Sequence, residues 1–176
     1  MKKIFITIAG IVAISALAQQ PDTNVFDDLK ALSKMEGNWS GGGWTITPER
    51  KRVTFTQHEE IKYELNGTIL QIRGKGFNED GEIIHDALGI IYYEPERNKY
   101  LMDAFLASGQ HTLAEIEITP SGMNWSFRTE QGATISYEIE IIDDTWTEKG
   151  YYSPDGVKKF LFIEFSLTRN TKSIEK

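Results

Sequence analysis

From residue 37 to about residue 169, apolar and polar residues alternate with a period of two, and turn-forming residues interrupt the alternation at roughly regular intervals. That period sends successive side chains to opposite faces of a strand, so each segment has one face to bury and one to leave in water. Strands joined by short turns achieve this as an antiparallel meander. The segments are 38–47, 52–65, 68–78, 83–93, 99–106, 111–119, 123–130, 134–142, 145–152 and 158–169. Between them stand turn signals such as Asn66-Gly67, Asp80-Gly81, Ser108-Gly109, Gln131-Gly132, Asp143-Asp144 and Pro154-Asp155-Gly156. About ten strands in an open sheet would leave two bare edges, and closing the sheet removes both. The expected fold is all-β, an antiparallel up-and-down barrel of about ten strands. It begins at Gly37-Asn38-Trp39-Ser40-Gly41-Gly42-Gly43-Trp44, where a large aromatic precedes three glycines that let the first strand bend sharply.

Two turns specify register. Asn66-Gly67 favours a two-residue type I′ loop, which pairs Leu65 with Thr68, Tyr63 with Leu70, Ile61 with Ile72, Glu59 with Gly74 and Gln57 with Gly76. The opposite face then carries Lys62 with Gln71, Glu60 with Arg73 and His58 with Lys75, all polar. Asp80-Gly81 acts likewise, setting His85 beside Gly76, Ala87 beside Gly74, Gly89 beside Ile72 and Ile91 beside Leu70. This leaves Ile84, Leu88, Ile90 and Tyr92 outside, a patch suited to a homodimer or another docking contact. The last strand is apolar on both faces near its start, around Phe160 to Phe165, which suggests cover by the N-terminal helix or by a partner.

The N-terminus has a different character. Lys2 and Lys3 precede an uncharged apolar run from Ile4 to Leu17, and Ala16-Leu17-Ala18 stands before Gln19. This is the layout of a secretory signal peptide over residues 1–18, so the expected location is periplasmic or secreted. The run falls short of the roughly 20 residues that a membrane span needs. Residues 19–176 are then a single domain without a transmembrane segment. Val25, Phe26, Leu29 and Leu32 recur at helical spacing and predict one short helix over 23–34. The chain has no cysteine, so neither disulfides nor thiolate metal sites are available. Removing Lys2 and Lys3 moves the net charge from −7 to −9, and Arg50-Lys51-Arg52 is the one basic stretch, which argues against nucleic acid or an anionic membrane as the main partner.

Following the register inward brings polar residues to where a core should be apolar. Gln57 and His85 flank Gly76, and Glu59 lies beside Gly74. Ala87 and Gly89 remove side-chain volume nearby, and space lined by a few polar groups is how a pocket is made. A carboxyl there has a raised pKa unless it is paired, and His85, about 10 Å across two strand spacings, reaches it only through a water or a ligand. A solvated barrel mouth with satisfied polar residues is the plainer alternative. No nucleophile elbow, phosphate loop, dinucleotide fingerprint or helical histidine pair is present, so no metal or cofactor is implied.

Gly37-Asn38-Trp39 after a short helix, a long antiparallel meander, and Arg169 on the final strand together resemble the lipocalin and wider calycin pattern. The resemblance implies that Gly37, Trp39 and Arg169 close one end of the barrel, the arginine packed across the indole. Leu32 to Gly43, Gly89-Ile90-Ile91-Tyr92-Tyr93-Glu94 leading to Tyr100, and Ser108-Gly109 are similar to a bacterial family of exported lipocalin-like domains of unknown function. Gly37-X-Trp39-X-Gly41-X-Gly43 also looks like the opening of nitrobindin-type haem barrels. Those use a late histidine as iron ligand, and this chain has none after His111.

The leading expectation is a non-enzymatic binder of a small apolar molecule. Its lumen would be lined by Tyr63, Met102, Trp125, Phe127 and Tyr137, with Gln57, Glu59 and His85 orienting the ligand. The alternatives are a hydrolase, isomerase or lyase with Glu59 as general base and His85 as acid, and a solid barrel acting as a structural or interaction protein.

Overall fold

In the computed structural model, which describes residues 29–170, the alternating segments become ten strands. They are β1 (Gly37–Ile46), β2 (Arg52–Glu64), β3 (Ile69–Phe77), β4 (Ile83–Glu94), β5 (Lys99–Leu106), β6 (His111–Thr119), β7 (Gly122–Arg128), β8 (Thr134–Ile142), β9 (Thr145–Ser153) and β10 (Phe160–Arg169). Each pairs antiparallel with its neighbours in sequence, and β10 pairs with β1, so the sheet closes into a barrel with no free edge.

The β2–β3 register follows from its turn. At the β3–β4 turn, by contrast, Gly81 but not Asp80 is left-handed, Phe77 pairs with Ile83, and a one-residue shift between Gly76 and Phe77 restores the expected pairing from Gly76 with His85 onward. Gln57 faces Gly76, Glu59 faces Gly74 and Tyr63 faces Leu70, while Gly76 faces His85 and Ile72 faces Gly89. Asn66 and Gly67 take the left-handed backbone of a type I′ turn, at φ 59° and 85°. Leu65 is left-handed as well, at φ 49°, so the ladder ends one pair earlier than expected, at Glu64 with Ile69.

β1 approaches β10 closely. A Cβ on Gly41 would lie 2.1 Å from the Ser166 carbonyl oxygen, and one on Gly43 would lie 2.3 Å from that of Glu164. The triple glycine is what permits this approach.

One end of the barrel is plugged. Lys30–Met35 winds as a 3-10 helix, and its three residues per turn stack Leu29, Leu32 and Met35 on one side, all buried. The rest of the helix expected over 23–34, and residues 1–18, lie outside the described residues. No described helix is long and apolar enough to cross a membrane.

The doubly apolar start of β10 has a local cause. The β9–β10 register shifts between Leu161 and Ile163, and the resulting bulge puts Phe162 on the lumen alongside Ile163. Phe160 and Leu161 stay exposed at the open rim, and the 3-10 helix sits at the other end.

Candidate functional site

The lumen divides into a packed floor and a hollow upper half. At the floor Trp39 is fully buried and its indole N–H donates to the Met35 carbonyl at 2.9 Å. The Arg169 guanidinium lies 4.0 Å over the Trp39 ring, donates to the Lys34 carbonyl at 2.8 Å and to that of Glu36, and pairs with Asp144 at 2.7 Å. Gly37, at φ 133°, leaves room for this arginine, since a Cβ there would come within 2.6 Å of its Nη1. Trp146 meets Trp39 edge to face at 5.7 Å and forms the next layer up.

Above Trp146 lies a cavity of about 380 Å³ that opens at the end of the barrel opposite the plug. Phe55, Ile72, Met102, Trp125, Phe162 and Phe165 make much of its wall. Trp125 and Tyr137 stack at 4.0 Å, and Phe162 stands edge-on to Tyr137 at 5.9 Å, giving a continuous aromatic side. The rim around the opening carries exposed apolar side chains, among them Ile83, Ile84, Phe105, Leu106, Phe160 and Leu161.

Two carboxyls reach into the cavity from different strands, Glu59 on β2 and Glu148 on β9. Both are buried. Glu59 fits because its neighbours across β3 are glycines. A Cβ on Gly74 would lie 2.8 Å from Glu59 Oε1, and one on Gly76 would lie 2.8 Å from Gln57 Oε1. Gln57 donates to Glu59 Oε1 at 2.6 Å, whereas Glu59 Oε2 is buried without a hydrogen-bond partner among the described residues. The Trp146 indole donates to Glu148 Oε2 at 3.2 Å. Loss of water raises the Glu59 pKa to about 7, with the Gln57 bond opposing. The same loss, reinforced by the charge of Glu59, raises Glu148 to about 8. Tyr137 is raised by burial and then by Glu148. His85, at the mouth, is lowered by burial against the opposing pull of Asp86.

Gln57, Glu59, His85, Met102, Trp125 and Tyr137 all border this cavity. Tyr63 and Phe127 do not. Tyr63 belongs to the plugged end, where its hydroxyl donates to the Leu29 carbonyl at 2.8 Å and burial pushes its pKa up to about 12. Phe127 packs beside Trp125 with ring centroids 6.1 Å apart. His58 is on the outer face against Phe77, and His111 pairs with Asp103 at the rim. Of the set expected outward on β4, Ile84 and Leu88 border the cavity, Ile84 exposed at its mouth and Leu88 half-buried, while Ile90 and Tyr92 are half-buried away from it.

Among the cavity residues that sequence reasoning missed, which include Phe55, Ile72, Phe162 and Phe165, Glu148 and Trp146 bring polar groups. The signal for these two was present. Asp143-Asp144 is a two-residue turn with both residues left-handed, at φ 47° and 57°, so the type I′ rule applied at Asn66-Gly67 pairs Ile141 with Trp146 and Ile139 with Glu148. Since Ile139 and Ile141 face the core, Trp146 and Glu148 must too.

No protein-family model matches the sequence, and no curated protein matches it. Among solved structures, the barrel is similar to Rv2717c from M. tuberculosis, with a TM-score of 0.61 and 14% identity over 81% of this chain and 97% of that one. It is also similar to the S-type phycobiliprotein lyase CpeS from Guillardia theta, with a TM-score of 0.55 and 9% identity over 83% of this chain and 92% of that one. At these identities the likeness shows a shared barrel fold.

Proposed function

We propose that the protein is a non-enzymatic binder that holds a small, largely apolar molecule in its lumen. The observation that carries this reading is the cavity of about 380 Å³, walled mainly by apolar and aromatic side chains, with its buried carboxyls held among them. A site of that size and make-up takes apolar surface out of water and fixes a ligand by a few polar contacts. The exposed apolar rim supports the same reading, because it gives such a molecule a favourable path inward. Lys2, Lys3, the apolar run and Ala16-Leu17-Ala18 support export, so the binder would work in the periplasm or outside the cell.

Titration with the apolar fluorophore N-phenyl-1-naphthylamine tests this. The expected result is saturable, single-site binding with a blue-shifted emission, competed by other apolar molecules. A linear, unsaturable response up to the solubility limit overturns it.

One observation favours a second reading, acid-base chemistry. The two buried carboxyls have pKa values raised to about 7 and about 8, so near neutral pH one can hold a proton while the other gives its own up. On this reading Glu148 is the partner of Glu59 in place of His85. Turnover on a panel of small esters and lactones, abolished by both Glu59→Gln and Glu148→Gln in folded protein, would establish it.

A further inference from the structure

The cavity's polar groups are unbalanced. Of the donors on its wall, the Gln57 amide is used on Glu59, the Trp146 indole on Glu148, and the Thr45 hydroxyl on the Phe162 carbonyl at 3.2 Å, which leaves the Tyr137 hydroxyl and the His85 ring as uncharged donors near neutral pH. Among the described residues no lysine or arginine borders the space. The groups on the wall that can carry charge near neutral pH are acidic: Glu59, a residue 9% exposed, has its Oε2 without a hydrogen-bond partner among the described residues, and Glu148 adds a second carboxyl from β9, separated from β2 by β1 and β10 around the barrel. A buried carboxyl oxygen without a partner is costly, and a group that supplied one would recover that cost. The only net charge these walls can compensate is positive. A ligand carboxylate would instead add negative charge to a low-dielectric space that holds two acids and no fixed cation.

From this we infer that the occupant is a lipophilic amine. Its protonated nitrogen would lie between Glu59 and Glu148, and its apolar body against the Trp125, Tyr137 and Phe162 side. The inference rests on the binding reading above and names its ligand class. It also makes binding depend on pH. The carboxyls must ionise to meet the ammonium, so affinity rises as pH increases from about 5 to about 8, the range in which their raised pKa values place that ionisation. The other titratable groups bordering the cavity do not reverse the sign. Burial lowers His85, and burial together with Glu148 raises Tyr137, so both are neutral toward the upper end of that range.

The test compares three ligands of one chain length, n-octylamine, n-octanol and octanoate, on the full chain. Calorimetry and displacement of N-phenyl-1-naphthylamine are the readouts, at about pH 5, 6.5 and 8. At the highest pH octylamine should bind at least roughly tenfold more tightly than octanoate, with octanol between them. The amine's affinity should rise with pH, and proton release should show as heat that depends on the buffer. In the Glu59→Gln/Glu148→Gln double variant the preference should vanish while octanol still binds. If the fluorophore and octanol bind but octylamine shows no advantage over octanoate, the inference is overturned and the binding reading stands. If none of the three ligands nor the fluorophore binds, both fall. The comparison within the parent protein decides the matter even if the double variant fails to fold.

Discussion

Two tryptophans in edge-to-face contact mark the boundary between two regions built to opposite rules. On one side Trp39 sits in a closed end whose polar groups are used up: its N–H goes to Met35, and Arg169 covers its ring while capping the carbonyls of Lys34 and Glu36. On the other side Trp146 turns its N–H to Glu148, and beyond it the barrel holds a second buried carboxyl with an oxygen left over. Saturated polar groups under close packing stabilise a fold. Unsatisfied ones around a void cost stability and suit a ligand. The lower end therefore reads as stability and the upper half as the place of the proposed binding site, and each variant below sets one against the other.

The largest effect belongs to Trp39→Ala. Removing a fully buried indole from the packed floor should cost about 3–5 kcal/mol of unfolding free energy, measured by urea denaturation. A loss below about 1 kcal/mol would mean that the closed end is not where the fold is held. Arg169→Ala comes next. It uncovers the Trp39 ring and leaves two backbone carbonyls without their donor, an expected loss of about 2–4 kcal/mol by the same measurement. Arg169→Lys should recover only part of it, because an ammonium lacks the planar fork that spans both carbonyls.

In the lumen the sign reverses. Glu59 and Glu148 have folded pKa values raised to about 7 and about 8 from 4.5, so between about pH 4.5 and 8 the folded state binds more protons than the unfolded chain. Stability is fullest below about pH 4.5 with respect to these two groups and is lost as pH rises through their folded values. Glu148→Gln removes the larger share of that slope, and at pH 8 it should stabilise the protein by about 1–3 kcal/mol. Denaturation curves at pH 5 and pH 8 check this. A variant no more stable than the parent at pH 8 contradicts the assignment of Glu148 as an uncompensated buried acid.

Much of this division is legible in the amino-acid sequence. Asn66-Gly67 sets the register that brings Gln57 and Glu59 to one face, because left-handed turn residues and strict alternation leave one pairing that buries the apolar set. Asp80-Gly81 marks the next turn, but His85 reaches that face only through a one-residue shift beside Phe77. The same rule reaches Glu148 through Asp143-Asp144, although a turn without glycine signals its left-handed backbone less strongly than Asn-Gly does. Other features have no local signal. The Phe162 bulge is a slip of one residue that no turn residue announces. Alternation says that Tyr63 points inward but not how high along the axis it lies, so its place in the plugged end, bonded to Leu29, is hidden in the pattern. Whether the lumen is hollow depends on how side chains from many strands fill one volume, which no single strand's pattern states.

The smallest stability effect should come with the largest change in binding. Ala104 lies on β5 opposite Gly89, and both border the cavity. Ala104 packs against the core but also borders open space, so the added methylenes of Ala104→Leu have the cavity to extend into and take no partner from a polar group. Unfolding free energy should shift by less than about 1 kcal/mol. The cavity would nonetheless shrink where the aromatic side leaves room, and affinity for N-phenyl-1-naphthylamine should fall at least roughly tenfold. Trp39→Ala, studied under conditions where it remains folded, should do the reverse, losing stability while keeping much of its fluorophore affinity. If Ala104→Leu instead destabilises the protein as strongly as the closed-end variants and leaves fluorophore binding intact, the upper half is packed core, and the contrast between the two ends fails.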